Sequence, residues 1–346
     1  MPNDKKILLE KKAIIALGGP LRLPEDFQIP FRISRSTAGP GAGFPSIAIS
    51  FNGLRVKKSI TTAPSEFELV QNADGSLSIL RNGDSFLDNV ELQPVIRHCP
   101  GQAFFNLDQR CENRCAFCSS PRLDPNDVKD MNADRILELI DESRSLYPFT
   151  SIALTSGVIG SVSETVERLA RAVSSIRARY PDFVIGVEPY IDDVRQLKIL
   201  KDAGTDEIKL NLQCANEKIF SRVCPDLDRD TIWRMLESAV AIFGKGSVTS
   251  NVIYGMGESD GDLTAIMEKL CSIGVIPGMR ALRVNKYNRE SLTEAIGVPV
   301  PVDPGYMVEI ARRQRETMAR YGLDTNTCHT MCLECGCCDI VPFRDL

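Results

Sequence analysis

The sequence predicts an α/β fold, a partial (β/α)6 TIM-like barrel with a small β-rich N-terminal domain and a Cys-rich C-terminal tail. Three observations carry that prediction. Hairpin signals crowd the first hundred residues, short apolar strands then alternate with helix-period stripes, and a run of cysteines follows between Cys328 and Cys338. The alternation supplies roughly six strands, too few for the eight of a closed barrel, so an open one is expected. The expected units are residues 1–98, 99–300 and 301–346, a division that suits a chain long enough for one large core and a smaller appendage.

From about residue 13 to 95 the pattern is that of a β-meander. Ile47, Ile49 and Phe51 alternate into Asn52-Gly53, and Leu54 and Val56 alternate out, the signature of a tight hairpin. Asp74-Gly75 and Asn82-Gly83 mark further turns, and Ala38 to Gly43 a loop. The boundary falls between Pro94 and Pro100. Strands follow at 103–108, 150–154, 183–188, 206–212, 247–254 and 280–285, separated by helices, which implies right-handed parallel βα units. Asn132 caps a helix carrying Ile136, Leu139 and Ile140, and Ser163 begins one carrying Val166, Leu169 and Val173. Later stripes through Leu197, Leu236 and Leu270 stop at Gly204, Gly244 and Gly274. Asp303-Pro304 opens a last helix, which stops at Gly322.

Composition excludes several classes. With 43% hydrophobic and 25% charged residues the chain has an ordinary globular balance, and its longest apolar runs, such as Ala13 to Leu17, are far too short to cross a bilayer. Lys5, Lys6, Lys11 and Lys12 bracket only a short apolar stretch, which is not a secretory signal, so a cytoplasmic protein is expected. A net charge of -5 without any long basic block offers no footprint for nucleic acid. Two histidines leave little material for imidazole-rich zinc sites or His-based triads. The 12 cysteines are the departure from the ordinary, and without an export signal they favour metal or redox chemistry over a disulfide framework.

Cys111, Cys115 and Cys118 lie just after the first strand of the βα series, where a barrel presents its ligand-binding loops. Three thiolates on one short loop can bind three irons of a [4Fe-4S] cube and leave the fourth open to a chelating ligand. A structural zinc loop or three buried thiols are the alternatives. The same C-x3-C-x2-C spacing recurs at Cys328, Cys332 and Cys335, but only the first triplet has a strand before it, βα units after it and an aromatic, Phe117, immediately before its last cysteine.

Those features resemble the radical S-adenosylmethionine (SAM) superfamily, over about residues 100–300. The resemblance implies that Cys111, Cys115 and Cys118 hold a SAM-binding [4Fe-4S] cluster, that SAM is cleaved reductively to a 5′-deoxyadenosyl radical, and that a reductant such as ferredoxin or flavodoxin supplies the electron. Thr155-Ser156-Gly157 stands where the family's Gly-Gly-Glu segment binds the SAM amino group, with one glycine and no Glu. Ser156, Gly157, Glu188, Asn251, Gly255, in the segment Val252 to Glu258, and Arg283, expected on the sixth strand, are the matching SAM-site candidates.

Cys328, Cys332, Cys335, Cys337 and Cys338 offer enough thiols for a second, auxiliary [4Fe-4S] cluster, with a zinc knot as the alternative. A tail this polar has too little apolar surface to order itself without a crosslink. The region 103–285 resembles the biotin synthase and lipoyl synthase side of the superfamily, and the layout resembles one component of two-component lipoyl synthases. That resemblance implies a sulfurtransferase in lipoate biosynthesis acting on a protein-bound octanoyl group, with an acyl-carrying domain and a second radical SAM subunit as partners. A tail folded over the barrel mouth would bring its sulfur near the radical. The N-terminal cysteine motif of single-chain lipoyl synthases is absent, and Arg35-Ser36-Thr37 is similar to the Arg-Ser-Ser stretch that gives them a serine ligand; a plain polar run is the alternative there. Two other readings stay open: radical carbon-skeleton rearrangement or C–C bond formation with the tail cluster relaying electrons, and a non-catalytic iron-sulfur carrier. Cys214, Cys224 and Cys271 read as buried small hydrophobes, while His98 and Cys99 are a weak candidate pair for a metal site.

Overall fold

The computed structural model describes residues 3–31, 33–35, 44–95, 100–124, 126 and 130–346. Ser36, His98 and Cys99 lie outside the described residues. The chain opens with helix α1 (Asn3–Leu17), followed by β1 (Leu21–Arg22), β2 (Ser34–Arg35), β3 (Pro45–Phe51), β4 (Leu54–Thr61), β5 (Phe67–Gln71), β6 (Leu77–Arg81), β7 (Asp84–Leu87) and β8 (Glu91–Gln93). These strands form one sheet in the order β2-β3-β4-β1-β5-β6-β7, with β8 also on β3. Asn52 and Gly53, and again Asn82 and Gly83, adopt positive φ at both turn centres, the conformation whose twist matches a two-residue hairpin.

The expected meander from residue 13 is corrected at its start, because Ala13 to Leu17 belong to α1. The helix hides from a periodicity reading because its inward face carries a lysine beside Leu9, Ala13 and Ile15. Lys12 is fully buried, and its Nζ donates to Asp345 at 2.6 Å and to the Gly336 carbonyl at 2.8 Å.

The second sheet is wholly parallel. It contains β9 (Gln102–Asn106), β10 (Ser151–Thr155), β11 (Val184–Glu188), β12 (Glu207–Lys209), β13 (Gln213–Cys214), β14 (Val248–Tyr254) and β15 (Ile276–Ala281). The strand expected at 206–212 is realised as β12 alone; β13, where Gln213 takes a positive φ, lies just beyond it, and both pair with β14. Six parallel positions therefore run β9-β10-β11-β12/β13-β14-β15 in chain order, the winding of a partial barrel. The sixth strand begins earlier than 280–285, so Arg283 lies beyond its end. Pro277 and Gly278 obscure this strand in the sequence, yet among the described residues β15 pairs with β14 alone, and an edge position tolerates proline.

The helices between strands are α2 (Ala133–Arg144), α3 (Val162–Arg179), α4 (Val194–Asp202), α5 (Glu217–Val223), α6 (Arg229–Phe243), α7 (Asp260–Ser272) and α8 (Arg289–Ile296). Asn132 caps α2 as expected, whereas Ser161, accepting from the Glu164 amide, caps α3 in place of Ser163. Helix α9 (Pro304–Arg320) is capped by Asp303 and packs on α1, α7 and β15. None of the described helices is long and apolar enough to cross a membrane.

The tail, with short helix α10 (Met331–Cys335), lies inside the fold. At the start of β9, Gln102 bonds both the amide and the carbonyl of Met331, and at the start of β12, Glu207 accepts from the His329 amide and the Thr330 hydroxyl. The tail thus enters at the N-terminal ends of the strands, opposite the end at which a lid over the barrel mouth would sit. It then fills the gap between the edge strands. Phe104 of β9 packs with Met331, Cys335 and Cys337, Asp339 bonds Arg280 and the Ala281 amide of β15, and the Lys57 amide of β4 donates to the Cys337 carbonyl from outside.

Candidate active site

The loop after β9 is fixed from both ends before any ligand is considered. Asp108 is fully buried, and its carboxylate accepts from the amide and guanidinium of Arg110 and from Arg168. Burial pushes its pKa up, but these donors outweigh burial and hold it below the usual carboxylate value. Its carbonyl takes the Gly157 amide at 2.8 Å, and Glu112 donates to Val158, so the loop is laced to the segment after β10. Four consecutive carbonyls are then occupied by side chains. Arg122 donates to those of Cys115 and Cys118, Ser291 to that of Ala116 and Asn288 to that of Phe117.

Cys111, Cys115 and Cys118 line one cavity of about 360 Å³ inside the barrel. Burial raises the pKa of Cys111, and that of Cys118 to about 11, while a hydrogen bond with the buried Cys224 lowers that of Cys115. Metal binding releases the thiol protons, so burial of unligated thiols is compatible with ligation. Among the described residues no three His, Cys, Asp or Glu side chains converge as ligands of a single ion do. Thiolates of a cube each take a separate iron, so they need a shared cavity rather than one meeting point.

Cys332, Cys335, Cys337 and Cys338 line the same cavity. Cys328 does not: it is buried among Cys271, Ile276, Met318 and Leu333, and its Sγ donates to the Gly246 carbonyl at 3.0 Å. Cys214, Cys224 and Cys271 are each buried at 1% exposure.

Of the other expected residues, Phe117, Ser156, Gly157, Glu188, Asn251 and Arg283 line the cavity. Gly255 does not. Its positive φ and its approach to Val302 shape a turn whose amides at Gly255 and Met256 are capped by Glu258. Gly157 is required by space: a Cβ there would lie 1.8 Å from the Arg110 carbonyl oxygen. Glu188 accepts from Asn211 at 2.5 Å and pairs with Lys209 at 3.0 Å, and Arg283 donates to the Cys338 carbonyl at 2.8 Å.

Sequence reasoning missed Lys209, Arg280 and Asp339, which also line the cavity. Their signal was present: a lysine between Ile208 and Leu210, and an arginine between Met279 and Ala281, are charges inside apolar strands. Such charges stay buried only with partners.

The sequence profile of the Radical SAM superfamily matches residues 106–270. Biotin synthase of Leptospira biflexa serovar Patoc is 23% identical over 64% of this chain and 63% of its own length. Lipoyl synthase of Delftia acidovorans is 25% identical over 51% of this chain and 55% of its own. The chain thus spans less than two thirds of these curated relatives. Among solved structures, methylornithine synthase superposes with a TM-score of 0.52 at 12% identity, covering 70% of each chain, a likeness of fold. The chain carries a radical SAM domain over residues 106–270, with weak homology to biotin synthase and lipoyl synthase.

Proposed function

We propose that the chain is a radical SAM sulfurtransferase that inserts sulfur into an unactivated C–H bond, with a protein-bound octanoyl group as substrate. The observation that carries this reading is that both cysteine sets, Cys111/Cys115/Cys118 and Cys332/Cys335/Cys337/Cys338, line one cavity. A shared cavity would let a radical formed at one cysteine set reach sulfur held by the other without leaving the protein. When bound, a [4Fe-4S] cluster with SAM supplies the electron and the 5′-deoxyadenosyl radical for hydrogen abstraction.

The chain's own residues have separable tasks in this reading. The loop thiols would hold the first cluster, on a loop whose carbonyls are pinned by Arg122, Asn288 and Ser291. Phe117, Ser156, Gly157, Glu188, Asn251 and Arg283 orient SAM on the surrounding wall. The four tail thiols hold the auxiliary cluster, and Cys328 is left out of that set. The packed tail, bonded at Gln102 and Glu207, keeps water from the radical. Ferredoxin or flavodoxin serves as electron donor; an acyl-carrying domain and a second radical SAM subunit are the macromolecular partners.

The test is anaerobic reconstitution with iron and sulfide, then turnover with dithionite, SAM and an octanoylated peptide. About eight irons are expected in the wild type and about four in Cys335→Ala. Cys335→Ala should still form 5′-deoxyadenosine but no thiolated peptide. If the wild type forms product while the auxiliary sulfide stays intact through turnover, the tail is not the sulfur source.

A further inference from the structure

Two buried cations flank the tail thiols. Lys209, on β12, is 3% exposed, and its Nζ donates to Cys332 Sγ at 3.2 Å while pairing with Glu188 at 3.0 Å. Arg280, on β15, pairs with Asp339 at 2.9 Å and donates to Asn251 at 3.3 Å. Both are charges buried inside the fold, and a buried charge needs an anionic counterpart. Glu188 meets only part of that need at Lys209. It also accepts from Asn211, while the remaining ammonium donors face Cys332.

We infer that Lys209 is a positioning residue for the tail cluster, holding Cys332 by an N–H···S bond and setting the cluster's reduction potential, with Arg280 reinforcing it. This inference rests on the reading of Cys332, Cys335, Cys337 and Cys338 as cluster ligands. Four thiolates around a [4Fe-4S] cluster leave a net negative charge, and one-electron reduction adds another. Hydrogen bonds to sulfur and nearby positive charge favour the reduced form, and are among the levers that set such potentials. Lys209 also pairs with Glu188, one of the residues proposed to orient SAM, so a single ammonium group touches both a tail thiol and the proposed SAM wall.

The test uses the full chain with Cys111, Cys115 and Cys118 all changed to alanine, so that any reducible cluster is the tail's. The reconstituted protein is poised with dithionite and mediators, and the reduced fraction is read by electron paramagnetic resonance. In this background Lys209→Met should keep about four irons. At a fixed potential its reduced-to-oxidised ratio should fall at least tenfold, which is about 59 mV for one electron, and Lys209→Arg should recover most of the loss. Retained iron with an unchanged ratio in Lys209→Met overturns the inference and leaves the cluster reading standing. A parent without iron overturns the cluster reading itself. If Lys209→Met loses iron, Lys209→Ala, which removes both the donor and the charge without adding bulk, takes over the test; an unchanged ratio there overturns the potential-setting role.

Discussion

Replacing Gly157 with alanine tests how the cysteine loop is held. Gly157 has no positive φ to protect, so the backbone accepts alanine and the whole effect comes from space. The added methyl would lie 1.8 Å from the Arg110 carbonyl oxygen and 2.9 Å from Cys111 Cβ, where real contacts essentially never fall under 3.0 Å. The two backbones must therefore part by about 1.2 Å, and no rotamer relieves a contact with a carbonyl. The Gly157 to Asp108 hydrogen bond, at 2.8 Å, opposes the movement. A misplacement of about 1 Å at reacting groups costs on the order of 10²-fold in rate. The assay is 5′-deoxyadenosine formation under dithionite, with cluster absorption recorded on the same sample. Gly261→Ala serves as control, since its nearest new contact is an ordinary 3.6 Å to Ser259. The expected outcome is roughly a hundredfold loss in Gly157→Ala and wild-type behaviour in Gly261→Ala. Cleavage within threefold of wild type in Gly157→Ala would refute the claim that this contact sets the loop.

Further predictions follow from other contacts. In Gly186→Ala the new methyl meets Thr330 Oγ1 at 2.1 Å, so the tail should be displaced and its iron lost, with SAM cleavage by the loop cluster retained; iron counting beside the 5′-deoxyadenosine assay reads this. Lys12→Met strands the buried Asp345 carboxylate, keeping only the Val341 amide and a marginal Arg344 contact at 3.5 Å, and should cost about 3–5 kcal/mol in denaturant unfolding. Asp108 is depressed in the folded state, so its stabilisation is fully present above about pH 4 and is lost as pH falls through the folded value; Asp108→Asn should flatten that acid limb of the unfolding curve. Asn288→Ala removes the bonds to the carbonyls of Phe117 and Arg283 and should slow cluster reconstitution more than it lowers melting temperature.

Much of both sheets was legible because their strands, turns and helices obey local rules. Asn132, Asp303, Asn52-Gly53 and Asn82-Gly83 do in the fold what short-range chemistry asks of them. The cysteine loop was legible from spacing and from Phe117. What stayed hidden depends on partners distant in sequence. Lys12 disguised α1 because its counter-charge is Asp345, and β15 was misplaced because its edge position, which excuses Pro277, is a property of the whole sheet. Cys328 and Cys332 look equivalent in spacing, yet one faces Gly246 in an apolar cluster and the other faces Lys209 in the cavity. Lys209 and Arg280 were missed although each is a charge between apolar neighbours, because the anions they serve are set by the tail's path.

The bonds of that path join residues made at very different times. Lys12 to Asp345 spans 333 positions, and Gln102 to Met331 spans 229. During synthesis the first sheet and most of the barrel emerge before any residue of the tail, and units that emerge early fold early. Until the tail arrives, the seam between β9 and β15 is open. Closing that seam is therefore a late step of assembly, made by residues that the barrel cannot recruit until the end of the chain is present.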